Sequence, residues 1–230
     1  MFLPGFVPVK TVAVTAHPSM FVCRYCCAAL LLGSLVSPAV AQEPAGSPTA
    51  DAPIYRVGDT WTFLTANTDG QSGDTTVQTV TSVTEKQTTI SASKNGGPSY
   101  EVDLNNQGDI FRSGHTTWEP AIGWLSFPMM VGKSWDFHDL KRSPSGIRDT
   151  DEVVKVVAFE RVQVRAGTFD AYKVTILGVS AGHLGGGRAV QIHSTYWYAP
   201  SVKAIVKSQA GWSGSGSDEA IELIAFSLVP

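Results

Sequence analysis

The chain lacks the residue patterns that build thiol, metal and nucleic-acid sites. Its three cysteines all lie within the first 27 residues, so the rest of the chain has no disulfide and no thiol nucleophile. Basic residues stand singly rather than in a stripe, which argues against nucleic acid as a partner. The histidines beyond residue 41 form neither an H-x-H nor an H-E-x-x-H pair, and the sequence therefore predicts no metal and no cofactor. They are His115, His138, His183 and His193.

Acidic residues are absent from the first 41 positions. Arg24 precedes an apolar run, Cys26–Val36, which is shorter than the ~20 residues that a membrane-spanning helix needs. Small residues follow, up to Ala41, at the positions of an A-x-A cleavage signal. This pattern predicts a secretory signal peptide over residues 1–41, with Met1 or Met20 as the start. The cysteines precede the apolar run, so no lipid anchor is expected.

The remaining 189 residues carry a net charge of −5, because residues 1–41 contain two of the 17 basic residues and none of the 20 acidic ones. No second apolar run approaches membrane length, so we expect a soluble chain without a transmembrane segment, periplasmic or extracellular. Residues 42–53 are rich in Pro and Ala and predict a disordered tether. Residues 54–230 predict one β domain, since helical periodicity is nearly absent.

Turn signals recur about every ten residues and separate runs rich in Thr and Val. Lys94–Pro98 is one of them, because Asn-Gly tolerates two positive φ values. Beyond it, Arg161–Arg165 alternates valines with charged and polar residues, which places the valines inward. This spacing predicts an all-β fold, a curved antiparallel sheet that forms a partly closed barrel or a sandwich.

Two short stretches are nearly the same. Val57–Phe63 reads V-G-D-T-W-T-F and Val131–Phe137 reads V-G-K-S-W-D-F, 74 residues later. In each, a glycine turn precedes an aromatic pair with a spacing of two, which places both rings on one face of a strand. The repeat predicts two similar meanders, at about 54–117 and 128–230.

The segment 118–130 differs from both halves. It crowds apolar side chains, including Trp124, together with Pro120 and Pro128, and the prolines argue against a long helix or a central strand. We interpret it as the crossover between the halves, packed over the core. An exposed binding lip is the alternative.

Candidate catalytic patterns are weak. Asp136 and His138 share one strand face, which suits either an acid–base pair or, more simply, a polar surface. Gly211–Ser215 narrowly misses G-x-S-x-G and has no strand-to-helix context. The pair Asp151-Glu152 faces opposite ways on a strand and is expected to be solvated. No catalytic residue is predicted.

Three segments together resemble a family of exported bacterial β-proteins. Val164–Lys173 (V-R-A-G-T-F-D-A-Y-K) matches its V-x-A-G-T-F-x-x-Y-K signature, Thr195–Val202 matches T-x-W-Y-A-P-x-V, and Phe127-Pro128 leads into Val131–Trp135. The chain is similar to the TapB-like family over about residues 55–208. Lys203 stands where that family usually has glycine. The resemblance implies a curved antiparallel sheet and no known activity.

The aromatic inner face, combined with export, favours a non-enzymatic envelope protein that binds an apolar or amphipathic ligand, such as a lipid, on a concave sheet. The predicted ligand-binding residues are Trp61, Phe63, Trp124, Trp135 and Phe137. A structural or assembly module that presents sheet edges or the crossover to another envelope protein is the alternative. A hydrolase is the more remote one.

Overall fold

The structure is a computed structural model that describes residues 48–67, 73–183, 187–212 and 219–230. The predicted signal peptide, residues 42–47 of the predicted tether and the serines of Gly211–Ser215 lie outside the described residues. Within the described part of the chain, no helix has the length and apolar character that crossing a bilayer requires.

Twelve antiparallel strands lie in the described ranges, and each is hydrogen-bonded to the next one along the chain. The last strand pairs with the first, which closes the sheet into a barrel. The all-β prediction is confirmed, and of its two forms the barrel is the one observed. The strands are β1 (Thr60–Asn67), β2 (Asp74–Val83), β3 (Thr88–Lys94), β4 (Ser99–Leu104), β5 (Ile110–Ser113), β6 (Thr116–Glu119), β7 (Ser134–Ser143), β8 (Gly146–Val164), β9 (Gly167–Gly182), β10 (Val190–Ala199), β11 (Ala204–Trp212) and β12 (Glu219–Ser227).

The two similar stretches take the same local geometry. Gly58 and Gly132 both have positive φ, 98° and 91°, a conformation that glycine adopts cheaply. The Gly58 amide donates to the carbonyl of Val80, and the Gly132 amide donates to that of Val156, both at 2.9 Å. Trp61 and Trp135 then occupy the second position of β1 and β7. The shared turn agrees with a duplication, which stays a prediction.

A buried ion pair joins the first turn to the end of the barrel wall. Asp59 is fully buried, and its carboxylate accepts hydrogen bonds from the amides of Arg56 and Val229, at 2.9 and 2.8 Å. The ammonium of Lys203 lies 2.8 Å from the same carboxylate. Burial opposes ionisation of Asp59, but these donors outweigh it and hold its pKa below the ordinary value. The cluster therefore ties together three segments that are distant in sequence.

Lys203 keeps the turn that the sequence resemblance assigns to glycine. Its φ is +57°, in the left-handed region, directly after a short 3₁₀ turn at Pro200–Val202. The backbone of this turn therefore follows the glycine pattern, while the side chain supplies the partner of Asp59.

The longest strands, β8 and β9, form a hairpin whose tip packs against β12. Gly167 turns the chain with φ +140°, and the Ala166 amide donates to the carbonyl of Leu223 at 3.1 Å. Phe169 meets Phe226 edge to face, with ring centroids 5.8 Å apart. The A-G-T-F segment of the sequence thus has a packing role at the hairpin tip.

The predicted disorder of residues 42–53 is wrong for their described part. Ala50 pairs with Met129 through two backbone hydrogen bonds, of 3.0 and 2.7 Å, and the Tyr172 hydroxyl donates to the Pro48 carbonyl. Ala50 and Met129 are both buried. Residues 48–53 are ordered because the backbone of Ala50 forms hydrogen bonds with the crossover. The Pro- and Ala-rich composition of the segment does not reveal this pairing.

Candidate functional site

An apolar cavity of about 310 Å³ lies among the barrel strands. Such a volume falls near the lower end of the ~300–1,000 Å³ typical of small-molecule sites. Lys203, which is held by Asp59, is its charged lining residue. The aromatic and aliphatic part of the lining consists of Tyr55, Trp61, Phe63, Ile90, Tyr100, Val102, Leu104, Ile110, Trp124, Leu125, Tyr196, Tyr198, Ala204, Ile205 and Ile221.

A second cavity, of about 370 Å³, is lined by charged and polar residues together with apolar ones such as Trp118, Ile122 and Ile192; we call it the polar cavity because it contains most of the charged lining residues. It shares Trp124, Tyr196, Ser208 and Ile221 with the apolar cavity, so the two adjoin each other. Most charged lining residues of this interior therefore lie on the side of the polar cavity, and Lys203 is the charged residue of the other side. The polar and charged lining residues are Asp139, Lys141, Arg148, Thr150, Glu152, Ser180, Ser194, Ser208 and Glu219.

Trp124 and Tyr196 are the aromatic residues that line both cavities. Their rings stack with centroids 4.9 Å apart and an interplanar angle of 26°. Trp124 belongs to the crossover 118–130. The residue after it, Leu125, donates its backbone amide to the carboxylate of Asp109 at 3.0 Å. Burial raises the pKa of Asp109 to about 7, although this amide and a side-chain hydrogen bond to Asn105 oppose the shift.

The predicted crossover 118–130 contains the end of β6 and leads to β7, its hydrogen-bonded neighbour, so it does not cross between separate sheets. The segment, for which we keep the name, contributes buried side chains to the barrel. Ile122, Leu125 and Met129 are all buried, because a chain segment without regular strand pairing must cover its apolar residues by packing inward. These three residues are therefore unavailable to an exposed binding lip, although Met130 is exposed.

Gly123 sits where a side chain has no room. A Cβ atom at this position would overlap the ring of Phe137. We expect Gly123→Ala to lower the free energy of unfolding by about 1–3 kcal/mol, the usual cost of overpacking, as measured by urea denaturation. In a Phe137→Leu background, Gly123→Ala should lower the free energy of unfolding by less than it does in the unaltered protein, because the smaller side chain leaves room for the added Cβ atom. Strictly additive effects would contradict the contact.

Two acidic side chains in the polar cavity are buried without full hydrogen bonding. Asp139 and Glu152 are 3% and 7% exposed, and Asp139 Oδ1 and Glu152 Oε2 have no hydrogen-bond partner. They lie on adjacent strands at diagonal positions, since Asp139 pairs with Thr150 and Phe137 pairs with Glu152. Buried polar atoms normally find partners, so these two oxygens can accept hydrogen bonds from a bound molecule.

Burial is the main influence on both carboxyl groups. It raises the pKa of Glu152 to about 7; the negative charge of Asp139 adds to the shift, and the indole of Trp124 opposes it. Burial also raises the pKa of Asp139 to about 6, against the positive charges of His138 and Lys141. The pair therefore changes its charge close to neutral pH.

The predicted ligand-binding residues divide into two groups. Trp61, Phe63 and Trp124 line the apolar cavity. Trp135 and Phe137 instead contact the crossover: the Trp135 indole donates to the carbonyl of Gly123 at 2.9 Å, and Phe137 packs on the same residue. Trp135 and Phe137 thus pack against the crossover next to Trp124.

The outer surface holds the predicted acid–base candidates. Asp136 and His138 are both exposed, and the partner of His138 is Asp151 across the strand pair, at 2.8 Å. Neither cavity includes these residues. Among the described residues, no group of three or more His, Cys, Asp or Glu side chains is placed to hold a metal ion.

Sequence reasoning missed the acidic pair. The expectation that Asp151-Glu152 is solvated holds for Asp151, which is exposed, and is wrong for Glu152. The two-residue period of a strand could have revealed the pair. Asp139 and Lys141 lie on the same strand face as Trp135 and Phe137, so if the aromatic pair faces inward, these charged residues face inward too.

No family model matches the chain, and no curated protein matches it. Solved structures do match. One is a "putative lipoprotein" from Parabacteroides distasonis, with a TM-score of 0.52 and 12% identity, covering 78% of this chain and 99% of that one. Another is a "putative exported protein with YmcC-like fold" from Bacteroides fragilis, with a TM-score of 0.52 and 15% identity, covering 78% of this chain and all of that one. The shared feature is the fold. Neither protein carries the TapB name, and that resemblance stays a prediction.

Proposed function

We propose that this chain is an exported, non-enzymatic envelope protein that binds an apolar or amphipathic molecule inside its barrel. The observation that carries the proposal is the apolar cavity of about 310 Å³ beside a polar one. An apolar cavity of this size is a ready site for hydrocarbon, because water gains few hydrogen bonds there. The predicted signal peptide, and the descriptions of the two matched proteins as a lipoprotein and an exported protein, support the envelope location.

Aromatic side chains give the cavity its binding surface. Trp61 is fixed by its indole, which donates to the carbonyl of Val202 at 2.8 Å, and by an edge-to-face contact with Tyr55 at 5.9 Å. A wall that is rigid before the ligand arrives loses little conformational entropy on binding. A chain-like hydrocarbon would pass the rings of Trp124 and Tyr196, which line both cavities.

Filling the apolar cavity with a larger side chain should weaken the binding of an apolar ligand. Ala204 lines it, and in Ala204→Phe the added ring would occupy ligand space. We expect at least a tenfold weaker affinity for decanol, measured by isothermal titration calorimetry at concentrations below aggregation. Val77→Phe is the matched control, because Val77 is exposed on β2 between two cavity-lining residues and faces outward.

Two outcomes would contradict this function. The first is unchanged decanol affinity in Ala204→Phe, which would place the ligand elsewhere. The second is the absence of binding by the unaltered protein with decanol, decylamine and decanoate alike. A protein purified from envelope extract should also carry a co-purifying lipid or amphipathic molecule that mass spectrometry detects.

A further inference from the structure

The polar cavity contains more acidic side chains than it can pair from its own residues. Asp139, Glu152 and Glu219 line it against Lys141 and Arg148. Among the described residues, neither cation forms an ion pair with Asp139 or Glu152. The cavity therefore holds two unpartnered carboxylate oxygens, of Asp139 and Glu152, with cations nearby that do not reach them.

Both cations of the cavity are engaged elsewhere. The ammonium of Lys141 lies over the ring of Trp118, 5.7 Å from its centroid. The guanidinium of Arg148 donates to the Ser180 hydroxyl at 2.9 Å, to the Ser180 carbonyl, and to the Arg188 carbonyl at 3.3 Å. Neither described cation therefore completes Asp139 or Glu152 in this arrangement, and a bound molecule that carries a donor can do so while these contacts stay intact.

We propose that Asp139 and Glu152 bind the ammonium group of an amphipathic amine whose hydrocarbon part occupies the apolar cavity. The inference rests on the proposed function, since it needs the apolar cavity for the hydrocarbon. An ammonium supplies three N–H donors and one positive charge, which suits two acceptor oxygens on neighbouring strands. The rings of Trp124 and Tyr196 line both cavities, and the faces of aromatic rings attract a cation.

Binding of the amine should be coupled to proton release. The carboxyl groups bind protons near neutral pH in the empty protein, and a bound ammonium favours their ionised forms. The other titratable groups that face the pair are Lys141, Arg148, Tyr196 and Glu219 in the cavity, with His138 on the outer face of β7. The Tyr196 hydroxyl lies in a buried site that raises its pKa, so it stays neutral in this range.

The test compares probes that share a hydrocarbon chain and differ in the head group. We expect decylamine to bind the unaltered protein at least tenfold more tightly than decanol at pH 7, and decanoate to bind more weakly than either. In Asp139→Asn/Glu152→Gln the preference for decylamine over decanol should fall at least tenfold, while decanol affinity stays the same. Calorimetry in buffers of different ionisation enthalpy should show proton release with decylamine and none with decanol.

The outcomes separate the two proposals. If decanol binds and decylamine binds no better, or if the double variant keeps the preference, the ammonium assignment is wrong and the apolar site stands. If no probe binds, both proposals fail. If calcium chloride alone displaces decylamine, the pair is a metal site rather than an ammonium site. Unaltered decanol binding by the double variant also shows that the variant is folded.

Discussion

An Asp59→Ala variant is expected to lose about 3–5 kcal/mol of the free energy of unfolding, the cost of breaking a buried ion pair from one side. The change leaves the Lys203 ammonium, whose side chain is 17% exposed, without its partner. It also removes the acceptor of the Arg56 and Val229 amides. Urea denaturation measures the loss. For a chain of this size, the same loss should lower the melting temperature of the variant by roughly 6–20 °C.

Two controls isolate the ion pair. Lys94→Ala removes an exposed ion pair with Asp74, whose side chains are 57% and 45% exposed, and should change the free energy of unfolding far less, because solvent screens exposed charges. The double variant Asp59→Asn/Lys203→Met removes both charges and should be more stable than Asp59→Ala. A loss in Asp59→Ala no greater than that in Lys94→Ala would show that the cluster does not hold the barrel closed.

The empty barrel is expected to be more stable at pH 5 than at pH 8. Burial raises the pKa of Asp109 and Glu152 to about 7 and that of Asp139 to about 6. Between the ordinary pKa of these groups and the raised one, the folded chain binds more protons than the unfolded chain, so stability increases as pH falls. Each of Asp109 and Glu152 contributes on the order of 2–4 kcal/mol, and the melting temperature should rise by roughly 5 °C or more.

The trend should reverse in stronger acid. The pKa of Asp59 is held below its ordinary value, so its contribution is present above the unfolded pKa and is lost as pH falls through the folded pKa. Asp139→Asn/Glu152→Gln should make the rise between pH 8 and pH 5 smaller and leave the part that comes from Asp109. Asp136→Asn, on the exposed outer face of β7, is the matched control and should keep it. A melting temperature that is equal at pH 5 and pH 8 would contradict the buried, unpartnered state of these carboxyl groups.

Local patterns predicted the strands well. Val162 and Val164 alternate with charged or polar neighbours, and both valines are buried, as the period of two in a strand requires. Asn95-Gly96 predicted a hairpin turn, and both residues have positive φ, 52° and 69°. These features depend on residues that are adjacent in sequence, so the sequence contains the whole signal.

Local sequence patterns could not predict two features: that the barrel closes, and that it contains the polar cavity. Whether the sheet closes is decided by β1 and β12, which pair with no local signal in either strand. Glu152 follows Asp151 in a run of polar residues that looks solvated, and its burial becomes visible only once β7 supplies Asp139 beside it. The aromatic residues were found because each is informative alone, whereas the acidic pair is a property of two strands.

The pairing of the first strand with the last also sets the order of events in folding. Thr60 lies opposite Ser227, 167 positions later. Contacts between such distant residues form slowly, because a long stretch of chain must first be brought into place. Synthesis proceeds from the N-terminus, so β1 emerges early and waits for β12. Until then it exposes an edge with free backbone donors and acceptors, and this interval is when the chain is most open to aggregation or to a chaperone.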